Sequence, residues 1–409
     1  MHRDTDTLEA AALDVAAIRS QFPALGDRVA YFDGPGGSQV PAVVARAVAD
    51  TMAAGISNRG PVTAAERRAE AVVVDARQAV ADLCGTVPRG VVFGRSMTQL
   101  TYDFSRTLAA GWVAGDEVVV TRLDHDANIR PWVQAAERAG VTVRWADFDR
   151  DSAELAVSAV TEVVSERTRL VAVTAASNLL GTRPEVAAIA AAAHDVGALV
   201  YVDAVHLAPH AAVDATALGA DVLVCSPYKF FGPHLGVLTA APALLETLHP
   251  DKLVASTKDV PERFELGTLP YELLAGTTAA VDFIASLVAG NGDRRERVLA
   301  SMAAVESHED SLFTRLLDGL GRLDAVTVHN RPARRTPTAL FSVRGHSPGE
   351  VHAALADVGI NAPGGSFYAI EAARWLGLGD AGAVRAGLAP YTDEDDVDRL
   401  LDAVADLAR

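Results

Sequence analysis

The sequence predicts an α/β protein with a mostly parallel, mixed sheet sandwiched by helices, followed by a small C-terminal α+β domain. Through the middle of the chain, short β-branched apolar runs alternate with longer Ala-rich helical patterns. Such continuous apolar runs, separated by helices, are typical of parallel strands that are buried on both faces. From about residue 291 the alternation stops, and a long helical segment leads into widely spaced strands.

Seven apolar runs are the candidate strands of the large sheet, at 90–93, 117–121, 141–145, 170–174, 198–203, 221–226 and 236–239. Amphipathic patterns predict helices between them at 128–139, 152–165 and 183–196. Ligands of such sheets collect beyond the carboxyl ends of the strands. Because Thr174, Asp203 and Ser226 end three of these runs, we expect them to converge on one site.

The remaining elements are assigned to the two ends of the chain. Helices are predicted at 294–320, 348–358 and 394–407, and strands at 338–343 and 383–388. An N-terminal helix at 11–21 is expected to join them. We therefore predict an N-terminal arm (1–30), a large domain (31–290) and a small domain (291–409).

Composition narrows the class of protein. The 409 residues are 50% hydrophobic, which is enough for a large core. The net charge of −17 argues against nucleic acid or an anionic membrane as a partner, because both require clustered Lys and Arg. We find neither a signal-peptide hydrophobic region nor a membrane span. Cys84 and Cys225 give no disulfide framework and no metal-ligand spacing, so we expect a cytoplasmic protein without a metal.

Lys229 stands where a lysine has little structural reason to be. It follows the apolar run 222–225, in a chain whose only other lysines are Lys252 and Lys258. A desolvated lysine can lose its proton and attack an aldehyde, which an arginine cannot do. The structural alternative is a lysine that snorkels from a strand end. The pattern favours a lysine that binds pyridoxal 5′-phosphate (PLP) as a Schiff base.

Asp203 strengthens the PLP interpretation. It ends an apolar strand, and a buried carboxylate requires a cationic partner. The protonated pyridine nitrogen of PLP is such a partner, although a helix N-cap is the ordinary alternative for this aspartate. Lys229 follows on what should be a neighbouring strand.

Other side chains fall at the same predicted sheet edge. Ser96, Met97 and Thr98 open a helical pattern, and a helix N-terminus binds phosphate, although Ser and Thr are also common N-caps. Ser226 and Tyr228 flank the lysine and could add phosphate contacts.

Two loop residues and one strand residue complete the candidates. His125 could stack on the cofactor ring, although most loop histidines are simply solvated. The amide of Asn178 could bond the ring oxygen or a substrate carboxylate. Arg385 lies in a small, apolar strand, where its planar fork suits a substrate carboxylate or, alternatively, a neighbouring acid.

In this order and spacing, these motifs resemble the fold-type I PLP enzymes of the class V aminotransferase superfamily, in the cysteine desulfurase-like branch. The resemblance covers almost the whole chain. It rests on the segments 31–38, 124–128, 177–182, 203–206, 226–229, 263–268 and 384–388. It implies a small amino-acid substrate and a homodimer whose sites lie at the subunit interface.

The resemblance also implies roles for individual residues. The implied catalytic residues are Lys229, His125, Asp203 and Tyr368, with Lys229 as the acid/base. The implied cofactor-binding residues are Ser96, Met97, Thr98, His125, Asn178, Asp203, His206, Ser226, Tyr228, Lys229 and Thr268. Of these, His206 falls near the ring oxygen, and Thr268 would reach the phosphate in the neighbouring subunit. The implied substrate-binding residues are Gly36, Asn178 and Arg385.

One departure from the family pattern decides which reaction is expected. Desulfurases accept sulfur on a cysteine of a mobile loop, which should fall at 360–368, and this segment contains no cysteine. Tyr368 stands roughly in its place and could shape the substrate pocket or donate a proton. A carbon–sulfur β-elimination giving pyruvate and ammonia is therefore favoured over persulfide formation.

Three other functions remain as alternatives. Transamination and epimerisation stay open, because both share the first proton abstraction with β-elimination. A non-catalytic scaffold is disfavoured, because the chain retains Lys229, Asp203 and the predicted phosphate site.

Overall fold

The computed structural model describes residues 12–329 and 331–409. Its strands are β1 (Ala30–Tyr31), β2 (Val91–Gly94), β3 (Glu117–Thr121), β4 (Thr142–Ala146), β5 (Thr168–Thr174), β6 (Leu199–Asp203), β7 (Val222–Cys225), β8 (Gly236–Ala240), β9 (Val326–Val328), β10 (Thr338–Val343), β11 (Ile360–Asn361), β12 (Gly364–Gly365) and β13 (Ala383–Gly387). Its α-helices are α1 (Val15–Ser20), α2 (Ala42–Ala53), α3 (Ala64–Cys84), α4 (Met97–Ala109), α5 (Arg130–Ala139), α6 (Val157–Thr161), α7 (Val186–His194), α8 (Pro242–Thr247), α9 (Tyr271–Ala285), α10 (Arg294–Leu320), α11 (Pro348–Asp357), α12 (Ile370–Trp375) and α13 (Glu394–Leu407).

The large sheet has seven strands in the order β2-β8-β7-β6-β5-β3-β4. Strands β3 to β7 pair in parallel, whereas β8 is antiparallel to both β2 and β7. Its central strands are buried on both faces, between two apolar clusters, because their residues are apolar at nearly every position. The predicted mostly parallel, mixed sheet is confirmed. Strand β6 lies between β5 and β7, so the ends that carry Thr174, Asp203 and Ser226 are adjacent.

The C-terminal part of the chain forms a second, antiparallel sheet in the order β12-β13-β10-β9. The N-terminal stretch contacts this part, since β1 pairs in parallel with β11 and Arg19 Nη1 lies 2.6 Å from Asp396 Oδ2 on α13. These contacts support an arm that joins the small domain, and the domain boundaries at 30 and 290 stay a prediction. Residues 1–11 of the arm lie outside the described residues.

Several predicted helices are shorter in the structure. The helix expected at 152–165 is reduced to α6, because Asp149 Oδ1 accepts the Ser152 amide at 2.8 Å and Ala153 adopts a left-handed φ of 61°. The helix expected at 11–21 is described only as α1, which Asp14 caps. Helix α5 starts at Arg130, and α7 starts two residues after Pro184. None of the helices in the described ranges is long and apolar enough to cross a membrane.

Candidate active site

Two adjoining cavities lie at the carboxyl ends of the parallel strands. The inner one has a volume of about 540 Å³ including its opening to solvent, and its lining includes Ser96, Met97, Thr98, His125, Thr174, Asn178, Asp203, His206, Ser226, Tyr228 and Lys229. The outer one encloses about 1080 Å³ including its open mouth, shares several of these residues and adds Gly36, Tyr102, Arg130, Phe367, Tyr368 and Arg385. The structure thus brings together the predicted site residues with one exception. Thr268 borders a separate surface cavity beside Phe264 and Leu266.

Lys229 is buried at the end of a turn that follows β7. Its Nζ donates a hydrogen bond to the carbonyl oxygen of Pro35. Burial, followed by the positive charge of Arg385, lowers the pKa of Lys229 to about 7, and Asp203 only partly opposes this shift. A large share of the amine is therefore neutral at physiological pH. This geometry does not fit a snorkelling lysine, because the amine is buried and donates its hydrogen bond to a backbone carbonyl instead of reaching solvent.

Asp203 ends β6 on the floor of the inner cavity. Its Oδ1 accepts the backbone N–H of Val205 at 2.9 Å. Burial raises the pKa of Asp203 to about 6, despite that hydrogen bond and the charge of Lys229. A cation placed in the inner cavity would return the carboxylate to its charged form. The site therefore favours a ligand that presents a protonated ring nitrogen here.

The first turn of α4 forms another wall of the inner cavity. The hydroxyl of Ser96 already caps the helix by accepting the Gln99 amide at 3.1 Å, and Met97 and Thr98 follow it. Gly236 makes this arrangement possible, because a Cβ there would lie 2.2 Å from the carbonyl carbon of Ser96. Backbone N–H groups at such a helix start suit a phosphate.

His125 is a neutral ring on the wall shared by the two cavities. Burial, followed by the charge of Lys229, lowers its pKa to about 4. Its Nδ1 accepts the Ala127 amide at 3.0 Å, so the hydrogen of the neutral ring is on Nε2. The ring of Tyr368 lies beyond it, with 5.5 Å between the centroids. A flat, uncharged imidazole in this position suits stacking on an aromatic ligand.

Arg385 places a cation at the bottom of the outer cavity. It projects from β13, donates from Nη1 to the Asn178 carbonyl at 2.9 Å, and lies 3.8 Å from the ring centroid of Phe367. Burial lowers its pKa to about 9. Its Nε has no hydrogen-bond partner in the protein. The guanidinium therefore retains donor capacity for an anionic ligand.

The segment that carries Tyr368 is held against the large sheet. Phe367 and Tyr368 both adopt left-handed backbone conformations, with φ of 53° and 59°. Their carbonyl oxygens accept hydrogen bonds from Asn178 Nδ2 at 2.9 Å and from the Asp126 amide at 2.7 Å. Non-glycine residues keep such conformations only where their surroundings fix them.

Sequence reasoning missed two residues that line the outer cavity, Tyr102 and Arg130, whereas Phe367 lies in the segment 364–368 that was expected to line the substrate pocket. Tyr102 lies one helical turn after Thr98, so spacing could have indicated it. Arg130 gave no comparable signal, because its position depends on ion pairs with Asp126 and Glu371.

Neither cysteine belongs to this site. Cys84 and Cys225 are both buried, and neither lines either cavity. A hydrogen bond with Cys84, together with burial, raises the pKa of the Cys225 thiol well above its usual value. The Cys225 thiol is therefore a protonated part of the core, and Cys84 is buried beside it.

The mixed sheet and a buried lysine beside a strand-end carboxylate define the architecture of fold-type I PLP enzymes. The chain belongs to the aminotransferase class-V family, whose model matches residues 30–400. The predicted class V enzyme of the cysteine desulfurase-like branch is thereby confirmed.

Individual relatives span nearly the full chain. An uncharacterized protein of Mycobacterium tuberculosis (strain CDC 1551 / Oshkosh) is 35% identical over 97% of this chain and 100% of its own length. A probable cysteine desulfurase of Mycobacterium leprae (strain TN) is 30% identical, with 97% of each chain covered. The apo structure of a cysteine desulfurase from Thermococcus onnurineus NA1 is 26% identical, with a TM-score of 0.88 over 97% of this chain and 98% of that one.

Proposed function

We propose that this chain is a PLP-dependent carbon–sulfur lyase that removes the β-substituent of a cysteine-type amino acid. One observation carries the proposal. The buried amine of Lys229 and the guanidinium of Arg385 both border the outer cavity, and no thiol lines it. The site thus has the groups for proton abstraction and carboxylate binding, but none that accepts sulfur.

The inner cavity fits PLP. Asp203, a buried carboxylate with a raised pKa, would hold the ring nitrogen, and the backbone at Met97 and Thr98 would hold the phosphate with Ser226 and Tyr228. His125, His206 and Asn178 would contact the ring. When bound through Lys229, PLP withdraws electrons from the α-carbon of an amino acid. The unpartnered Nδ1 of His206 and Oδ1 of Asn178, both buried, match a polar ligand.

Each chain residue then has a definite task. Arg385, next to Gly36, orients the substrate by its carboxylate. Lys229 Nζ, neutral because its pKa is lowered to about 7, takes the proton from the α-carbon. The Tyr368 hydroxyl, at the cavity mouth, donates a proton to the departing sulfur. With L-cysteine and one water, the products are pyruvate, ammonia and hydrogen sulfide.

We propose further that the working unit is a cytoplasmic homodimer. Thr268 lies outside both cavities, as a residue that serves a neighbouring subunit would. Large apolar side chains near it in sequence are exposed, namely Leu253 at 71%, Val254 at 105% and Leu266 at 55%. A second copy that covers this surface would bury them.

Product analysis tests the proposed reaction. The PLP-loaded protein is incubated with L-cysteine, and pyruvate, sulfide and alanine are measured together. Pyruvate with equimolar sulfide supports the lyase. Alanine would reveal sulfur transfer and overturn the proposal. A keto acid with the cofactor left in its amine form, or a racemised amino acid, would instead establish transamination or epimerisation.

A further inference from the structure

A chain of buried polar side chains leads from the wall of the inner cavity to helix α10. It starts at His206, whose Nε2 lies 3.0 Å from both Thr336 Oγ1 and Thr338 Oγ1. The Nδ1 of His206 has no hydrogen-bond partner in the protein. The His206 ring packs edge-to-face on His210, with 5.0 Å between the centroids.

The chain ends at a buried carboxylate. His210 Nδ1 lies 2.9 Å from Glu309 Oε2, and these two side chains are only 4% and 1% exposed. His210 Nε2 and Glu309 Oε1 are buried without partners. Leaving polar atoms unpaired inside a protein is costly, and apolar residues of similar size would fill the space more stably. Stability alone therefore does not account for this pair, and the proposed reaction does not yet use it.

The hydrogen bonds of Thr336 indicate which nitrogen of His206 carries the hydrogen. Thr336 Oγ1 donates its single hydrogen to the Gly181 carbonyl at 3.3 Å, so it accepts from His206 Nε2. Burial, followed by the charges of His210, Arg385 and Lys229, holds the pKa of His206 well below its usual value. The ring is therefore neutral, with its hydrogen on Nε2 and a free lone pair on Nδ1.

We propose that Thr336, Thr338, His210 and Glu309 are positioning residues that hold His206 as a hydrogen-bond acceptor on the inner cavity wall. The chemistry that matches this acceptor is a ring hydroxyl of the bound cofactor. The inference rests on the proposed PLP site. It links the sheet that binds the cofactor to two elements of the C-terminal part, since Glu309 lies on α10, Thr338 begins β10 and Thr336 lies just before it.

The negative charge of Glu309 gives the chain an electrostatic effect. Burial raises the pKa of Glu309 to about 7; His210 opposes this rise, and Asp310 and Glu306 add to it. Above neutral pH the carboxylate is charged, and it favours protonation of His210, its direct partner, which in turn packs on His206. The charged groups that act on His206 itself are His210, Arg385 and Lys229.

The tautomer is tested in the cofactor-free protein. Nitrogen-15 NMR of histidine side chains, with the His206 signals identified by their loss in His206→Gln, should show the Nε2–H tautomer. Thr336→Val/Thr338→Val should shift the ring toward a tautomer mixture, and Thr336→Ser/Thr338→Ser should restore the original signal. A Nδ1–H tautomer in the unmodified protein would overturn the proposal. Because no cofactor is present, this result does not depend on whether the lyase reaction occurs.

The electrostatic effect is tested by pH titration of the visible absorbance of the PLP-loaded protein. Glu309→Gln should move the midpoint to lower pH by at most about one unit, because the lost negative charge acts on the site through His210. Asp221→Asn is the matched control, since Asp221 Oδ2 lies 2.9 Å from His194 Nε2 in an exposed pair. Equal midpoints in Glu309→Gln and the unmodified protein would contradict the proposed role of Glu309. Failure of PLP to bind would contradict the proposed function and leave the NMR result standing.

Discussion

Asn178 Nδ2 donates a 2.9 Å hydrogen bond to the carbonyl oxygen of Phe367, which joins the loop after β5 to the segment between β12 and α12. A second bond, from the Asp126 amide to the Tyr368 carbonyl, fixes the same segment. One wall of the outer cavity is therefore attached to the large sheet by the chain itself. The sequence predicted that a desulfurase would carry its mobile cysteine in this segment, which here contains none.

Asn178→Ala should loosen this wall. The substitution removes one hydrogen bond, which is worth about 1 kcal/mol, and leaves the Phe367 carbonyl without that donor. We expect faster amide hydrogen exchange at residues 364–368 and a higher KM, with little change in global stability. Gln78→Ala removes an exposed amide that bonds Asp82 and serves as the control. Unchanged amide hydrogen exchange at residues 364–368 would show that the hydrogen bond from the Asp126 amide is enough to hold this segment against the large sheet.

Lys229→Ala should abolish covalent attachment of PLP and turnover while the protein remains folded. Burying this amine lowers its pKa, so its removal relieves a desolvation cost that offsets part of the packing and the hydrogen bond that are lost. The measurement is borohydride reduction with PLP followed by mass spectrometry of the peptide that contains residue 229. Lys252→Ala, which removes an amine bonded to the Ser256 carbonyl, should retain both attachment and activity. Turnover by Lys229→Ala would exclude the proposed mechanism.

Arg385→Ala should raise KM by at least tenfold, with a smaller change in kcat. In the proposed site the guanidinium would supply charge-assisted hydrogen bonds to the substrate carboxylate, and a buried carboxylate left unpaired costs about 2–5 kcal/mol. Arg385→Lys keeps the charge but not the planar fork, so it should recover only part of the affinity. The measurement is the KM and kcat of the unmodified protein, Arg385→Ala and Arg385→Lys at saturating PLP. An unchanged KM in Arg385→Ala would make the arginine structural.

The sequence predicted those helices and strands in which apolar residues recur regularly because one face is buried. The helix 294–320 and the strand 338–343 match α10 and β10, because their apolar faces pack on a continuous core. The helix predicted at 152–165 is shortened to α6 (Val157–Thr161), since a side-chain turn at Asp149 competes with helix formation at its start. At the site, Lys229 and Asp203 were recognisable because a charge at the end of an apolar strand is costly. Glu309 was not, since nothing local in α10 indicates that it meets His210, which lies 99 positions away in sequence.

The stability of the cofactor-free protein should depend on pH through Lys229. Its folded pKa of about 7 lies below the ordinary 10.5, so between these values the unfolded chain binds more protons than the folded one. The resulting loss in the free energy of unfolding is at its largest below about pH 7 and disappears above pH 10.5. Between pH 7 and 9 the protein should therefore gain about 2 kcal/mol relative to Lys229→Met, measured by urea unfolding. If the free energies of unfolding of the two proteins changed in parallel with pH, the lowered pKa of Lys229 would be contradicted.

Cys84→Ala/Cys225→Ala should retain carbon–sulfur cleavage, because neither thiol lines the cavities and the Cys225 thiol has a strongly raised pKa. Both side chains are fully buried, so the double variant should lose about 1–3 kcal/mol of stability through the cavities that it creates. Pyruvate and sulfide release are compared at a temperature where both proteins are folded, with Tyr368→Phe as a second variant that removes only the hydroxyl. We expect the cysteine-free protein to keep its kcat and Tyr368→Phe to lose it at least tenfold. Loss of sulfide release in a folded cysteine-free protein would mean that a thiol carries the sulfur, and β-elimination would then have to be abandoned.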